Sequence, residues 1–485
     1  MQFNIGNVYG LRDPEQEMLK ELTVIFNYHA VKNSEKARYY EGHITLGDVN
    51  LGIALPKNLD GLEIGCEWGS KCVDVLAARS RFDGFVGENG EDVAALREIT
   101  DGNRFSAEYQ KAVRDELKFG CTFATLSADE NIGCSIRFNS PEDAAARWNN
   151  EVGRIDCGLT IIDGRKDESD KKWKPTKLRL DTDRSVWMLT RTDSMWDAVE
   201  IPHRMGRPLM VPMVWNPTSR KPFGRSRIKE PVRRLIQSYV RTIANATIGL
   251  EFSTSPQKYL LGITDEQYDA VINDKFKQYV GSIIAGTTNP ETGERPTFGQ
   301  LQQGTLNPHV EMLRMIATQF SAATGLTVTD TGVVNDANPT SSDAILAQSQ
   351  TLVLLAEQLN AGNGDALKLI AQMAQAIARD VTLDQLTDEE RDVVAHFKNP
   401  AMPSVSVTAD AAIKIASARE NFAGTDVFLE MIGFDQADIR RIRAQESRAR
   451  GLKLLEEFED EDIEDSVAGV REPAGEGQSD SGEEG

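Results

Sequence analysis

The chain has 485 residues, with 54 Lys and Arg against 75 Asp and Glu, and its formal net charge is −21. This length allows large buried cores and predicts about two to four domains. The excess of acidic residues excludes a protein that binds nucleic acid tightly over its whole surface, because tight binding requires many cationic contacts to phosphates. From Glu456 to Gly485, thirteen acidic residues stand against one basic residue, Arg471, so this tail alone carries −12.

The cysteines indicate a reducing compartment. They are odd in number, lack CxxC spacing and all fall in the first third of the chain: Cys66, Cys72, Cys121, Cys134 and Cys157. Such a set predicts reduced packing residues rather than a disulfide framework. The first residues show no secretion-signal pattern, and no window approaches the twenty apolar residues of a bilayer span. We therefore expect neither a leader nor a transmembrane helix.

The first half of the chain changes from helical to strand-like patterns. Apolar residues recur at helical spacing over residues 12–40, 63–79, 92–100 and 106–119. From Cys121 onward, short β-rich runs separated by Gly, Asp and Asn predict a mainly antiparallel sheet. The run from Pro141 to Trp148 predicts a short helix inserted in that sheet. Residues 1–225 are therefore predicted to form one α/β domain.

A basic amphipathic helix follows and organises the rest of the chain. Apolar residues from Val232 to Leu250 form one stripe, while Arg227, Arg234 and Arg241 stand seven apart on another face. A helix with a buried stripe and a cationic stripe touches two environments. The second environment is left open by the sequence: solvent, a neighbouring acidic subunit, or the phosphates of DNA.

The helix is followed by an insert at 254–306 that contains two strand-like runs, KYLLG and TFGQLQ. A second helix over 307–325 ends at Gly325, as helix C-termini often do. Its predicted apolar, core-facing side consists of Met312, Met315, Ile316 and Phe320. The two helices thus predict an out-and-back pair around a small β-containing insert.

The last third of the chain is predicted to be mainly helical. Residues 326–341 have no helical period and no Lys or Arg, and 342–408 hold a long helix with a kink or break expected at Asn360–Gly364. Ser404–Thr408 reads as an edge strand and 409–458 as two or three helices. The acidic residues 459–485 lack apolar periodicity and predict disorder.

Signatures of catalysis are missing from the sequence. It contains no GxxxxGK[ST] phosphate loop, HExxH, GxSxG or dinucleotide fingerprint. Its five histidines are far apart along the chain, so a metal or catalytic role for any of them is disfavoured. We expect a protein that is not an enzyme and has no cofactor or metal.

The order of these elements resembles a known family. The matching stretches are RYYEGH at 38–43, WGSKCVDVLAARSRFDGF at 68–85, the basic helix with its flanks at 216–262, EMLRMIATQFSAATGL at 311–326 and NPTSSDAILAQSQTLVLLAEQ at 338–358. AHFKNPAMPS, ADAAIKIASA and MIGFDQADIRRI extend the match to about residue 450. The set is similar to the portal proteins, or head-to-tail connectors, of tailed double-stranded DNA bacteriophages, above all those of long-tailed actinobacteriophages.

The resemblance implies an α+β portal fold and a ring of typically twelve copies at one capsid vertex. It implies an α/β wing at 1–225, stem helices at 226–253 and 307–325, a clip at 254–306 and a tunnel loop at 326–341. Residues 342–408 would return to the wing, and 409–458 would form a helical crown. By this plan the DNA tunnel is lined by Thr329, Asp330, Thr331, Asn335, Asp336 and Asn338, and the stem's basic face carries Arg227, Arg234 and Arg241.

The resemblance also implies function and partners. Double-stranded DNA would be packaged into and ejected from the phage head through the ring. The terminase large subunit, the head-tail adaptor and the major capsid protein would contact it. The protein would be made in the bacterial host cytoplasm and reside in the virion, with no membrane contact. The alternatives are a single-copy nucleic-acid-binding packaging accessory that clamps DNA with the basic helix, a capsid structural protein, and an unrecognised hydrolase.

Overall fold

The computed structural model describes residues 2–49, 60–61, 63–87, 93–166, 173–192, 195–254, 258–262, 288, 293, 295, 297–300, 305–333, 342–401, 405–419 and 421–468. The α-helices are α1 Asp13–Tyr40, α2 Leu46–Val49, α3 Trp68–Ala77, α4 Ala94–Gly102, α5 Phe105–Phe119, α6 Glu230–Thr254, α7 Asn307–Thr324, α8 Ser342–Ala378, α9 Asp388–Arg391, α10 Val405–Ala418, α11 Asp426–Ile432 and α12 Gln436–Ala468. The strands are β1 Phe82–Val86, β2 Cys121–Asp129, β3 Gly133–Asn139, β4 Ala144–Asn149, β5 Arg154–Lys166, β6 Trp173–Asp181, β7 Ser185–Thr192, β8 Met195–Pro202, β9 Met210–Val214, β10 Lys258–Leu261, β11 Thr297–Gln300 and β12 Val394–Phe397. The fold is α+β, as the sequence predicts, and the chain forms two compact units, Met1–Ala401 and Met402–Gly485.

One part of the first unit is a sheet covered by a helix. The strands β4-β5-β6-β7-β8 pair antiparallel in that order, which confirms the predicted antiparallel sheet. One face of the sheet packs against α1, whose Leu19, Leu22 and Phe26 are fully buried with Leu159 and Leu180 of the sheet. The helix and the sheet therefore form two layers around a core of their own.

The helix predicted from Pro141 to Trp148 is wrong, because Ala144–Asn149 is the edge strand β4. Its alanine run has high helix propensity. In the fold, Ala145 is buried on the side of α1, whereas Ala144 and Ala146 are buried on the side of Met210. This strand is therefore buried on both faces, and tertiary packing here overrides local propensity.

A larger core joins the rest of the first unit. The three-stranded sheet β3-β2-β9 and the helices α3 to α8 contribute to one buried cluster that extends from Tyr39 to Ala395. This cluster spans the domain boundary predicted at residue 225. The assignment of parts of the chain to a wing, a stem and a crown stays a prediction.

The predicted out-and-back pair consists of α6, with 25 residues, and α7, with 18 residues. At 1.5 Å per residue these helices are about 37 Å and about 27 Å long. Helix α6 begins at Glu230, four residues later than the predicted stem helix. Beyond the two helices, β10 and β11 pair antiparallel, with Lys258 opposite Gln300, so the insert contains the two predicted strands.

The break predicted at Asn360–Gly364 is wrong, because α8 is helical without interruption from Ser342 to Ala378. Each glycine weakens an isolated helix by about 1 kcal/mol. Leu359, Leu367 and Ile370 are buried on the two sides of this stretch, and this packing keeps the helix continuous.

Two further predictions near the C-terminus are wrong. Ser404–Thr408 is not an edge strand, since α10 begins at Val405; the strand in this part of the chain is β12, which pairs antiparallel with β1 across more than 300 residues. Disorder from residue 459 is also wrong for residues 459–468, because α12 extends to Ala468. Absence of apolar periodicity does not exclude a helix, since the glutamates of this stretch have favourable helix propensity. The predicted disordered residues 469–485 lie outside the described residues.

Candidate functional site at the base of the helix pair

The apolar stripe of α6 faces α7, as the sequence predicts. Val232, Ile236 and Val240 are completely buried and belong to the same core cluster as Ile316 and Phe320 of α7. Their spacing of four residues keeps them on one side of the helix. The paired helices are thus held by a continuous apolar seam.

Arg227 closes the base of this helix pair. It is buried, and its guanidinium donates Nε–H to the carbonyl of Cys72 in α3 and Nη2–H to the carbonyl of Thr324, the last residue of α7. Carbonyls at a helix C-terminus lack intrahelical partners and favour a cation. Burial lowers the pKa of the Arg227 guanidinium. The prediction that Arg227 belongs to an exposed basic face is therefore wrong: it lies before α6 and inside the protein.

The other two predicted arginines differ from Arg227 and from each other. Arg234 is 73% exposed and forms a 2.6 Å ion pair with Glu230, one turn earlier on α6. Arg241 is half-buried. Arg233, which the seven-residue spacing passes over, pairs with Glu35 of α1 at 2.5 Å, and its guanidinium lies 5.7 Å from the ring centre of Tyr39. Arg227, Arg233 and Arg234 consequently make three different contacts.

Trp68, the first residue of α3, connects both helices to the loop that follows α7. Its ring centre lies 4.2 Å from that of Tyr239 on α6 and 4.6 Å from that of Phe320 on α7. Its indole Nε1–H donates a 3.0 Å hydrogen bond to the carbonyl of Thr331. The sequence placed Trp68 in a helix but gave no signal that it fixes the loop, because its partners are distant in the chain.

The first residues of the loop predicted to line a DNA tunnel are joined to one another by hydrogen bonds. Asp330 accepts hydrogen bonds from the backbone N–H of Thr327 at 2.9 Å and from its hydroxyl at 2.8 Å, and Thr329–Thr331 form a 3-10 turn. Thr329 is exposed and Asp330 is half-buried. Thr331 is buried, so its prediction as a tunnel-lining residue is wrong in this subunit. Asn335, Asp336 and Asn338 lie outside the described residues.

Two methionines of α7 are exposed, although the sequence predicts them in the core. Met312 is 41% exposed and Met315 is 48% exposed, whereas Ile316 and Phe320 are buried. Apolar periodicity does not distinguish a face that packs within one chain from a face on its surface. The methionine prediction is therefore wrong for this chain in isolation.

The cysteines are packing residues, as predicted: all five are buried and unpaired. Burial raises the pKa of the Cys72 thiol to about 12, so it is uncharged near neutral pH. Over the described ranges, no group of three or more His, Cys, Asp or Glu is placed to hold a metal ion. No helix in this part of the chain combines the length and the hydropathy needed to cross a bilayer.

No protein-family model matches the chain, and no curated protein matches it either. Among solved structures, the chain is similar to the neck of an empty GTA particle computed with C6 symmetry, with 11% identity, a TM-score of 0.45, and coverage of 73% of this chain and 86% of that one. It is also similar to the neck of a native GTA particle computed with C12 symmetry, at 11% identity and a TM-score of 0.43, with 76% and 89% of the two chains covered. A virion of a native gene transfer agent (GTA) particle gives 11% identity, a TM-score of 0.43, and coverage of 73% and 86%.

Proposed function

We propose that the protein is a non-enzymatic connector subunit that assembles into a ring in the virion and conducts double-stranded DNA. The observation that carries this proposal is the helix pair. Arg227, just before the start of α6, contacts the last residue of α7, so the two helices run antiparallel. The end of α6 and the start of α7 lie next to the paired strands β10 and β11 in the chain. An out-and-back pair that ends in a small β-element agrees with the stem and clip that the resemblance to phage portal proteins implies.

The electrostatics of the described residues support a conduit rather than a DNA clamp. A conduit must surround DNA without holding it, since every fixed cation is multiplied by the number of subunits. The start of the loop, 326–333, contains no Lys or Arg and includes Asp330. Of the three arginines that a clamp would use, Arg227 is buried and Arg234 is paired with Glu230.

The finer assignments follow from the resemblance. In the proposal, twelve copies form the portal vertex, and residues 254–306 meet the terminase large subunit during packaging and the head-tail adaptor afterwards. The major capsid protein surrounds the ring. The protein is synthesised in the host cytoplasm, needs no cofactor, and acts in DNA packaging and ejection.

Negative-stain microscopy of the purified full-length protein tests the proposal directly. Rings with a central hole are expected, whereas a monomer that persists at high protein concentration would count decisively against a connector. Binding to short duplex DNA separates the clamp from the conduit. A steep dependence of affinity on salt that is lost in Arg234→Ala and Arg241→Ala would favour a clamp.

The loop assignment has its own test in phage particles. Replacement of Asp330 and Asp336 by lysine is expected to leave the ring intact but to reduce the amount of packaged DNA, because each ring would gain many cations along the channel. Asp330→Asn is the matched control, since an amide oxygen still accepts from Thr327 while the charge is removed. A normal yield of DNA-filled heads from the double lysine variant would refute the tunnel-loop assignment.

A further inference from the structure

The outer surface of α1 carries a row of exposed apolar side chains. Leu19, Leu22 and Phe26 pack against the five-stranded sheet, and the opposite side of the helix displays Val24, Tyr28 and Val31, which are 68%, 63% and 63% exposed. Spacings of four and three residues align them on one helix face. We call these three residues the helix stripe.

The far face of the same sheet carries a second exposed apolar surface. On the edge strand β8, Trp196 is buried on the side of α1, so its alternating neighbours Met195, Val199 and Ile201 lie on the other face. They are 70%, 64% and 51% exposed. Tyr9, which is 80% exposed, pairs with Asp197 in a parallel bridge and extends this face. We call Tyr9, Met195, Val199 and Ile201 the strand patch.

The two surfaces lie on opposite sides of one pair of layers. Helix α1 covers one face of the sheet and turns the helix stripe away from it. The strand patch lies on the other face at the edge strand β8, beside Val186 and Met188 of β7, which pack into the larger core. Monomeric proteins rarely leave large contiguous apolar patches in water, and such patches usually mark interaction sites. A head-to-tail contact requires two different surfaces, one of which meets the other on the next copy, and two unlike patches on separate sides of the molecule meet this requirement.

The charges around the two surfaces are complementary. Lys20 lies one turn before Val24, and Lys32 lies one turn after Tyr28, to whose hydroxyl its ammonium donates a 2.9 Å hydrogen bond. The strand patch instead surrounds a carboxylate, Asp197, on the exposed face of β8.

The carboxylates beside the helix stripe do not cancel the difference in charge between the two surfaces. Glu21 forms an ion pair with Arg147 of β4, and Glu35 pairs with Arg233 of α6 at 2.5 Å. Glu17 and Asp13, two and three turns before Val24, are further exposed carboxylates on this helix face, and both lie toward its N-terminal end. The centre of the helix stripe is therefore bordered by lysines, and the centre of the strand patch by an aspartate.

We infer that the helix stripe of one copy packs against the strand patch of the next copy, with Lys20 and Lys32 beside the neighbour's Asp197. Each copy then retains one unused patch of each kind, so association continues until a ring closes. The closed ring rests on the proposed function, whereas the contact between the two patches does not require it. A contact of helix stripe with helix stripe would instead stop at a dimer.

Three exposed valines provide a matched test in the full-length protein. Val24 lies in the helix stripe, Val199 in the strand patch, and Val152, which is 58% exposed, in the turn between β4 and β5. Each is replaced by cysteine, a change of nearly equal size, and the five native cysteines are buried. Purified variants are assembled alone and in pairs, treated with a short bismaleimide, and separated on a denaturing gel, while microscopy of the same samples records rings.

The inference predicts a covalent dimer when V24C and V199C are mixed, and none from either variant alone or from mixtures with V152C. Dimers from V24C alone would overturn it in favour of a like-with-like contact. Rings without cross-links in the V24C and V199C mixture would also overturn it while leaving the proposed connector intact. Cross-links without rings would support the contact and count against the connector, and the absence of both would reject the two proposals together.

Discussion

Arg227 and Thr324 are 97 residues apart in the chain, yet the guanidinium of the first donates a hydrogen bond to the backbone carbonyl of the second. The same side chain also donates to the carbonyl of Cys72. One buried cation thereby joins the segment before α6, the end of α7 and the middle of α3. Its role is to hold the base of the helix pair, and its loss is expected to be costly.

Arg227→Met tests this role. Methionine fills much of the space of the arginine stem but leaves the Thr324 carbonyl, at the end of α7, without its donor, at a cost of about 1–3 kcal/mol. We expect the free energy of unfolding to fall accordingly, as measured by denaturant titration of the full chain. Arg234→Met is the control, because exposed ion pairs contribute at most about 1 kcal/mol. Equal losses in the two variants would contradict the structural role of Arg227.

Trp68 and Trp187 form a second matched pair. Trp68 donates its indole N–H to Thr331, whereas the buried Nε1 of Trp187 finds no acceptor among the described residues. Replacement of either by phenylalanine removes similar volume, but only Trp68→Phe removes a hydrogen bond, whereas Trp187→Phe removes a buried N–H without an acceptor. Trp68→Phe is expected to cost about 1 kcal/mol more than Trp187→Phe. It should also speed amide hydrogen exchange at residues 329–332. Unchanged exchange there would contradict the role of Trp68 in holding the loop.

Glu116 makes stability depend on pH. Burial raises the pKa of its carboxyl from 4.5 to about 8, against the opposing effect of the 2.8 Å hydrogen bond from Asn363. The folded protein therefore binds this proton more tightly than the unfolded chain does. The contribution of Glu116 is complete below pH 4.5 and is lost as the pH rises from 4.5 to about 8.

Glu116→Gln is expected to flatten the decline of the free energy of unfolding between pH 6 and 8. Asp115→Asn is the control: burial raises the pKa of Asp115 only to about 6, so its contribution is already lost at that pH. Denaturant titrations at half-unit intervals from pH 5 to 9 measure both. A wild-type profile that is level between pH 6 and 8 would rule out a buried, protonated Glu116.

The glycines of α8 test the continuity of this helix. A Cβ at Gly362 or Gly364 would meet its nearest atom at 4.0 Å or 3.9 Å, so alanine fits without strain. Each replacement is expected to raise the free energy of unfolding by about 0.5–1 kcal/mol. Gly325→Ala should lower it, because Gly325 ends α7 at a φ of +75° and a Cβ there would lie 2.9 Å from Leu355. Destabilisation by alanine at both 362 and 364 would indicate a broken helix.

The sequence predicts much of this fold correctly. The patterns locate α1, α4 and α5, the strands after Cys121, and the out-and-back helices α6 and α7, because each element shows its own hydrophobic period. Errors occur where an element depends on a remote partner. Strand β12 pairs with β1, and β4 is buried on both faces; neither relationship leaves a local signal.

In the candidate site, too, local spacing predicts some features and remote contacts decide others. Seven-residue spacing groups Arg227, Arg234 and Arg241, whereas the structure buries the first, pairs the second with Glu230 and half-buries the third. Helical spacing likewise groups Met312 with Ile316, although only Ile316 is buried. Spacing specifies which side of a helix a residue occupies, but not what lies against that side.

The sequence by itself determined the α+β class, the order of the elements and the loop free of cations between α7 and α8, since these depend on composition and on periods of two or 3.6 residues. Only the tertiary structure decided that Arg227 holds the base of the helix pair, that Trp68 fixes Thr331, and that the helix stripe and strand patch lie on opposite sides of one layer pair. Each of these is a contact or a direction in space between distant residues. Chain packing creates such relationships, and no local pattern encodes them.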